Sequence, residues 1–318
     1  MKHFYSADSV DNVGALISDA LAMKRHSIPH PQYTEGKSML LLFFNSSLRT
    51  RLSTQLAAQQ LGMHTICMNA GEGWKWEIEP GVIMNMDKAE HVKDAAKVIS
   101  QYVDIVAIRS FPGLTDREED YRDELMQEFM AHSEVPVVNM ESSIYHPLQS
   151  LTDLITIEEA KANQTKLKVV LSWAPHPKAL PQAVSNSFLQ WMAKTNHDVT
   201  VTHPQGYELK ESFTQNATIE YDQMKAFEGA DIIYTKNWSS YQQYGQILTE
   251  DQNWMINKKK MNVTNEAKFM HCLPVRRNVV VTDGVMNGPN ALIYQQAGNR
   301  LHAAKTVIYN LLKQPNHG

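Results

Sequence analysis

The segment Ser47-Leu48-Arg49-Thr50-Arg51 combines two hydroxyl side chains with two guanidinium groups. It follows the apolar run 39–44, which is typical of a buried parallel strand, and helical spacing continues over 50–61. A helix that begins after a strand offers unpaired backbone N–H groups and the positive end of its dipole, and arginine forks match phosphate oxygens. The pattern favours a phosphate site. The alternative is that Ser47 only caps the helix and both arginines are solvated.

Sequence motifs for other phosphate, dinucleotide and metal sites are absent. There is no Gly-x-x-x-x-Gly-Lys-Ser/Thr, no Gly-x-Gly-x-x-Gly after a strand and no His-Glu-x-x-His. The two cysteines, Cys67 and Cys272, have no metal-ligand spacing. We therefore expect no metal and no cofactor.

Composition limits the class of protein. With 318 residues, 43% hydrophobic and 20% charged, the chain has the profile of a globular protein of two domains. The net charge of −4 disfavours nucleic acid as a partner. The N-terminus lacks the apolar region of a signal peptide, no apolar run is long enough to span a bilayer, and two cysteines suit a reducing compartment. These features predict a cytoplasmic protein without a membrane partner.

Short apolar runs alternate with amphipathic stretches along the chain. Strands are predicted in two sets, at 39–44, 105–108 and 135–139, and at 167–173, 198–202 and 230–235. Repeated βα units predict an α/β fold of two doubly wound parallel-sheet domains, residues 1–150 and 151–318, with the active site in the cleft between them. The last helix, within 289–313, is expected to pack back on the N-terminal domain.

Four ordered blocks carry a family resemblance. Ser47-Leu48-Arg49-Thr50-Arg51 resembles the Ser-x-Arg-Thr-Arg motif of the aspartate and ornithine carbamoyltransferases. Lys88 to Ala95, continuing to Arg109, is similar to that family's Lys-Gly-Glu-Ser loop, helix and strand-end arginine. His146-Pro147-Leu148-Gln149 matches His-Pro-x-Gln, and His271-Cys272-Leu273-Pro274 matches the ornithine branch. The blocks extend over nearly the whole chain.

The resemblance implies a binding site for carbamoyl phosphate, the donor of the carbamoyl group. Arg109 would bridge the phosphate and the carbonyl oxygen, His146 would donate to that oxygen, and Gln149 would bind the carbamoyl NH₂. Cys272 would line the space where amine and carbamoyl group meet, with Arg109 and His146 as the other catalytic residues. The further donor contacts implied are Ser47, the Leu48 backbone, Arg49, Thr50, Trp74, Leu273 and Arg300.

The sequence departs from the ornithine branch at the position that selects the amine. Ornithine carbamoyltransferases have an aspartate after the strand ending in Tyr-Thr, and it holds the α-ammonium of ornithine. Here that position is Lys236, and the Ser-Met-Gly motif is absent. A lysine would repel an α-ammonium by roughly 1–4 kcal/mol, whereas an acylated α-nitrogen carries no charge. This departure resembles the N-acetylornithine and N-succinylornithine carbamoyltransferases.

The same resemblance implies a set of acyl-ornithine contacts. They are Trp74, Glu90, Glu141, His176, Lys236, Cys272, Leu273 and Arg276. Trp74 resembles the tryptophan that reaches a neighbouring subunit's site in a homotrimer. The whole chain is most similar to the succinyl type, which has Pro at the position of Glu90, whereas the acetyl type has Glu. Because two carboxylates in one pocket disfavour each other, Glu90 fits a neutral acetyl group better.

The expected function is therefore carbamoyl transfer to the side-chain amine of an N-acylornithine, in arginine biosynthesis, by a succinyl-type scaffold that leans toward N-acetylornithine. One alternative is ordinary ornithine carbamoylation, which Lys236 disfavours. Another is a binding paralogue without catalysis, which the retained Arg109, His146 and Cys272 disfavour.

Overall fold

A computed structural model describes residues 1–26, 28–73 and 75–313 of the chain. The chain forms two compact units. Unit 1 consists of Met1–Gly113, Glu118–Leu148 and the chain from Arg300 onward. Unit 2 consists of Leu114–Arg117 and Gln149–Asn299.

Helices and strands alternate through both units. The α-helices are α1 Val13–Arg25, α2 Arg49–Gln60, α3 Val92–Ser100, α4 Arg117–Arg122, α5 Glu124–His132, α6 Pro147–Ala160, α7 Ala183–Met192, α8 Glu211–Thr214, α9 Gln223–Phe227, α10 Lys258–Met261, α11 Asp283–Met286 and α12 Ile293–Leu312. The strands are β1 Ser38–Phe43, β2 His64–Asn69, β3 Trp76–Glu77, β4 Glu90–His91, β5 Ile105–Arg109, β6 Val137–Glu141, β7 Lys168–Ala174, β8 Asp198–Thr202, β9 Thr218–Glu220, β10 Ile232–Asn237 and β11 Lys268–Met270. Short 3₁₀ helices cover Ala7–Ser9, Pro31–Tyr33, Ala70–Glu72 and Gln252–Trp254.

The main sheet of unit 1 is parallel, with strand order β2-β1-β5-β6. Its central strands are buried apolar runs because helices cover the sheet. Leu40, Val106 and Ile108 pack with Val92 of α3 and Phe129 of α5 in one core cluster. The carboxyl ends of β1, β5 and β6 therefore have a rigid base, and the loops that follow them carry the candidate site of this unit.

The sheet of unit 2 is also parallel, with strand order β11-β10-β7-β8-β9. Ile233 of β10, Phe269 of β11 and Val170 of β7 lie in its core. All six positions of β10 are buried, including Lys236 and Asn237 at its carboxyl end. A polar residue at the end of a buried central strand is placed where α/β sheets bind ligands.

The α/β fold class with parallel sheets and covering helices is confirmed. The predicted strands agree with β1, β5, β6, β7, β8 and β10 to within a few residues. Helix α6 begins at Pro147, because proline is well tolerated in the first turn of a helix. No helix among the described residues is long and apolar enough to cross a membrane.

Candidate functional site

In unit 1, the loop between β1 and α2 presents a helix N-terminus. Leu48 is the N-cap of α2 and supplies no side-chain cap, and the first turn has no acidic residue. The Ser47 hydroxyl accepts a hydrogen bond from the Thr50 N–H at 3.3 Å. The positive end of the helix dipole is thus uncompensated by a carboxylate of its own first turn, which suits an anion.

Two buried guanidinium groups meet at the Thr50 hydroxyl. Arg300 Nη2 donates to Thr50 Oγ1 at 2.6 Å, and Arg109 Nη1 donates to the same oxygen at 3.4 Å. Thr50, Arg109 and Arg300 are all more than nine-tenths buried. Because the oxygen accepts from both arginines, its own O–H is left to donate to an acceptor such as a phosphate oxygen.

Glu141 balances the charge of this group. Its carboxylate pairs with Arg109 Nη1, and Oε2 lies 3.4 Å from His146 Nε2. The β5–β6 register shifts between Ile108 and Arg109, which places Arg109 opposite Glu141. We call Thr50, Arg109, Glu141, His146 and Arg300 the Thr50 cluster. Glu141 was predicted as an acyl-ornithine contact and here lies among predicted donor residues.

Arg51, the second arginine of the motif, has different neighbours. Its guanidinium lies 4.4 Å from the centre of the Phe43 ring, and Nη1 donates to Cys67 Sγ at 3.0 Å. Nη2 donates to Asn69 Oδ1. These contacts tie α2 to β2. Arg49 is half-buried at the start of α2.

In unit 2, Lys236 and Cys272 are in direct contact. Lys236 is 8% exposed, and its Nζ donates to Cys272 Sγ at 3.3 Å. No ion pair of Lys236 is found within the part of the chain that the structure describes. A buried ammonium without an acidic partner is costly, so the site is suited to receive an anionic group.

His176 and Arg276 form a second contact in unit 2. Arg276 Nε donates to His176 Nε2 at 3.2 Å, and His176 Nδ1 lies 2.8 Å from the Lys178 carbonyl. Burial, with smaller contributions from the charges of Arg276 and Lys236, lowers the pKa of His176. Because Nε2 accepts the hydrogen bond from Arg276, it carries no proton, and the imidazole in this contact is neutral. We call Lys236, Cys272, His176 and Arg276 the Lys236 cluster.

The His271-Cys272-Leu273-Pro274 segment turns sharply after β11. His271 is buried, and its Nδ1 accepts from the Leu273 N–H at 3.0 Å. Leu273 has a φ of 54°, which is uncommon for a branched residue and is found preferentially where function constrains the backbone. Cys272 and Leu273 are half-buried, so both can line a ligand site.

Gln149 is buried and lies in the first turns of α6, where it contacts a residue that the sequence analysis missed. Gln149 Nε2 donates to Asp153 Oδ1 at 2.7 Å, and Gln296 Nε2 of α12 donates to the same oxygen at 2.7 Å. The sequence could have indicated Asp153, because residues four apart on a helix, such as Gln149 and Asp153, lie on the same face. For Gln296 no sequence signal was available.

Glu90 lies on β4 in unit 1 and lines a cavity of about 800 Å³ together with Trp76, Lys88 and Tyr102. Lys88 forms an ion pair with Glu77 at 2.8 Å. The predicted contact Trp74 lies outside the described residues. Within residues 1–26, 28–73 and 75–313, no group of three or more His, Cys, Asp or Glu side chains is arranged to hold a metal ion.

Comparison with known proteins gives matches over nearly the entire chain. Residues 2–159 match the family model for the carbamoyl-phosphate-binding domain of aspartate/ornithine carbamoyltransferases, and residues 181–311 match the model for its Asp/Orn-binding domain. An N-succinylornithine carbamoyltransferase of Bacteroides fragilis is 48% identical over 316 residues, covering 98% of this chain and 99% of that protein.

Two solved structures are similar throughout. An acetylornithine transcarbamylase complexed with acetylcitrulline superimposes with a TM-score of 0.93 at 36% identity, covering 99% of this chain and 100% of that one. A glutamate-to-proline mutant of N-acetyl-L-ornithine transcarbamylase, complexed with carbamyl phosphate and N-succinyl-L-norvaline, has a TM-score of 0.92 at 35% identity, with coverage of 98% and 100%.

Proposed function

Because the chain belongs to the aspartate/ornithine carbamoyltransferase family, as its motifs predicted, we propose that it transfers the carbamoyl group of carbamoyl phosphate to the side-chain amine of an N²-acyl-ornithine. The products are N-acyl-citrulline and phosphate, a step of arginine biosynthesis. The observation that carries the choice of amine is Lys236. It is buried, has no acidic partner among the described residues and touches Cys272.

Carbamoyl phosphate is the donor, and its phosphate is held by Ser47, the Leu48 backbone, Arg49, Thr50 and Arg300. The geometry that supports this is the N-terminus of α2 beside the paired arginines on Thr50. Arg109 bridges the phosphate and the carbonyl oxygen, since its guanidinium already spans from Thr50 to Glu141. Backbone N–H groups and arginine forks together supply charge-assisted hydrogen bonds to the phosphate oxygens.

The reaction is attack of a neutral amine on the carbonyl carbon, followed by departure of phosphate. Arg109 and His146 donate to the developing oxyanion, and Gln149 accepts from the carbamoyl NH₂. Cys272 and Leu273 line the space between the two reacting groups. A free alkyl amine has a pKa of about 10.4, so desolvation must lower it, and the departing phosphate can take its proton. The protein's part is to hold and orient, without a covalent intermediate.

The acyl-ornithine is recognised by charge. Lys236, Arg276 and His176 surround the α-carboxylate and the acylated α-nitrogen, and Glu141 contacts the acceptor through its other oxygen, Oε1. Support comes from the excess of positive charge in the Lys236 cluster, which attracts a carboxylate and repels an ammonium. Free ornithine brings such an ammonium, and an acylated ornithine does not.

The acyl group is acetyl rather than succinyl, on a scaffold of the succinyl type. The 48% identical relative is named for succinylornithine, whereas Glu90 is the residue found in the acetyl type. A succinyl tail would bring a carboxylate toward that of Glu90. The glutamate-to-proline mutant of the acetyl-type enzyme, solved with a succinylated ligand, fits the same reasoning.

The protein functions as a homotrimer whose sites include Trp74 of a neighbouring subunit. Support comes from the exposed apolar side chains on one face of α2, Leu48, Leu52 and Leu56, at 68%, 59% and 45% exposure. Ile66 and Met68 of β2 are exposed beside them in unit 1. An apolar stripe at i, i+4 and i+8 beside the phosphate loop is suited to cover by a second copy.

The test of the activity is a radiolabelled or colorimetric assay of carbamoyl transfer from carbamoyl phosphate with four acceptors: ornithine, N-acetylornithine, N-succinylornithine and aspartate. We expect turnover of an acylated ornithine and at most trace turnover of the other two amines. Faster carbamoylation of free ornithine would overturn the role of Lys236. Binding of carbamoyl phosphate without turnover of any acceptor would instead support a silent paralogue.

The test of the acyl preference compares wild type with Glu90→Pro and Glu90→Gln. We expect Glu90→Pro to shift the ratio of kcat/KM toward N-succinylornithine by about tenfold or more, the effect of removing one like-charge contact. Glu90→Gln keeps the size and removes the charge, so it separates electrostatics from shape. An unchanged ratio in both variants would refute the role of Glu90.

A further inference from the structure

Three buried side chains of unit 2 meet at a single oxygen atom. Asp153 Oδ1 accepts hydrogen bonds from Gln149 Nε2 and Gln296 Nε2, each at 2.7 Å. Asp153 is fully buried, and both glutamines are 1% exposed. Gln149 and Asp153 lie one turn apart on α6, and Gln296 comes from α12, so this oxygen joins two helices.

The chemistry of the groups fixes the orientation of both amides. A primary amide has a donating NH₂ end and an accepting oxygen end, whereas an ionised carboxylate can only accept. Asp153 therefore selects the NH₂ ends, and each amide oxygen points to the opposite side. In Gln296 that oxygen accepts from the His271 N–H at 3.0 Å, which anchors the segment containing Cys272. In Gln149 it is the group proposed to accept from the carbamoyl NH₂.

We infer that Asp153 is a positioning residue, which prevents the Gln149 amide from turning over and so presents an acceptor to the carbamoyl NH₂. This rests on the proposed function, since it concerns the donor of that reaction. If the Gln149 amide were turned over, its NH₂ would face the carbamoyl NH₂, and the hydrogen bond between them would be lost. Through Gln296, the same carboxylate holds the backbone that precedes Cys272, so both sides of the transferred group depend on one buried oxygen.

Other titratable groups lie close to Asp153. Tyr234 of β10 lies close to both Asp153 and Cys272, and burial, followed by the charge of Asp153, raises the pKa of the Tyr234 phenol. The phenol therefore stays protonated and neutral over the working pH range, so it adds no second negative charge beside Asp153. A carboxyl group introduced at position 149 would face Asp153 at hydrogen-bond distance.

The first experiment compares Asp153→Leu, which has a similar shape and no acceptor, with Asp153→Asn, which keeps one acceptor oxygen for both amides. We expect Asp153→Leu to raise the KM for carbamoyl phosphate about tenfold, the usual effect of losing one buried hydrogen bond, with a smaller change in the KM of the acyl-ornithine. Asp153→Asn should retain most of the affinity. Thermal unfolding of each variant shows whether the fold is intact.

The second experiment does not depend on the leucine variant folding. In Gln149→Glu, two carboxyl groups share one proton, and the introduced carboxyl group can donate to Asp153 and still offer an oxygen only while it is protonated. The rate relative to wild type should fall as pH rises through the raised pKa of this pair. Adding Asp153→Asn removes the neighbouring charge, so the fall should move to lower pH.

The outcomes are distinct. Wild type without any carbamoyl transfer would overturn the proposed function and the inference together. Two results would overturn only the role of Asp153, provided that the wild type is active. One is a KM for carbamoyl phosphate in Asp153→Leu equal to that of wild type. The other is a pH profile of Gln149→Glu that does not change when Asp153→Asn is added.

Discussion

The Thr50 cluster of unit 1 and the Lys236 cluster of unit 2 are both rich in cations, and they differ in how that charge is balanced. In the Thr50 cluster, Glu141 pairs with Arg109 and lies beside His146. In the Lys236 cluster, the Lys236 ammonium donates to the Cys272 sulfur and Arg276 donates to the neutral imidazole of His176, so neither cation has an anionic partner there. The first group is arranged before any ligand binds. The second keeps an excess of positive charge, which lets the acceptor's own charge decide whether it binds.

The comparison predicts that the largest loss of activity follows a change in the Thr50 cluster. Arg109→Gln should lower kcat/KM by about 10³-fold or more, because it removes a charged donor aimed at the oxyanion and leaves Glu141 buried without that partner. The measurement is steady-state kinetics with N-acetylornithine. Arg51→Gln is the matched control, because Arg51 contacts Phe43, Cys67 and Asn69, and it should cost far less.

The next largest effect is a change of substrate in the Lys236 cluster. Lys236→Asp should raise the ratio of ornithine turnover to acyl-ornithine turnover by about tenfold to a thousandfold, since one contact charge is reversed. Lys236→Met removes the charge without reversing it and should fall between wild type and the aspartate variant. If both substitutions lower all activities equally, Lys236 does not select the acceptor.

A smaller effect is expected at the hydroxyl that joins the two arginines. Thr50→Val keeps the shape and removes the acceptor of Arg300 and Arg109, so carbamoyl phosphate affinity should fall about tenfold. Thr50→Ser keeps the hydroxyl and serves as the control. Isothermal titration with carbamoyl phosphate measures both, and equal affinity in the valine variant would contradict the shared role of this oxygen.

The smallest expected effect is a pH dependence of acyl-ornithine binding at the Lys236 cluster. His176 has its pKa lowered from the ordinary 6.5, chiefly by burial, so the unfolded chain binds the proton more readily than the folded one. The stability from the Arg276–His176 contact is therefore complete above pH 6.5 and is lost as pH falls from there toward the lowered value. Protonation removes the acceptor that holds Arg276 in place, and we expect this loss to outweigh the added positive charge, so the KM of the acyl-ornithine should rise over this range. In His176→Gln, which keeps an acceptor, the rise should disappear.

Much of the scaffold was predictable because its buried strands are uninterrupted apolar runs. β1 and β5 show this pattern directly. β2 does not, since His64–Asn69 is a mostly exposed edge strand with as many polar as apolar residues, and no periodicity distinguishes it from a loop. The α2 N-terminus was predictable from the position of the hydroxyl and arginine residues after a strand.

The pairings within the site depend on distances that no local pattern contains. Glu141 meets Arg109 because the strand register shifts by one residue at that point, and Lys236 at the end of β10 meets Cys272, which follows the adjacent strand β11. The membership of Arg300 came from resemblance alone. Asp153 had a local signal in its helical spacing from Gln149, yet its second partner, Gln296, is brought near only by the fold.

The carboxylate of Glu141 has a consequence for how the protein releases its inorganic product. It competes with any anion for Arg109, so an incoming oxyanion must displace or share an existing partner. Such competition weakens the binding of every anion at Arg109. It weakens free phosphate, the product, more than carbamoyl phosphate, because the donor also reaches Thr50 and His146. We expect Glu141→Gln to bind free phosphate more tightly, so that the variant turns over more slowly as phosphate accumulates.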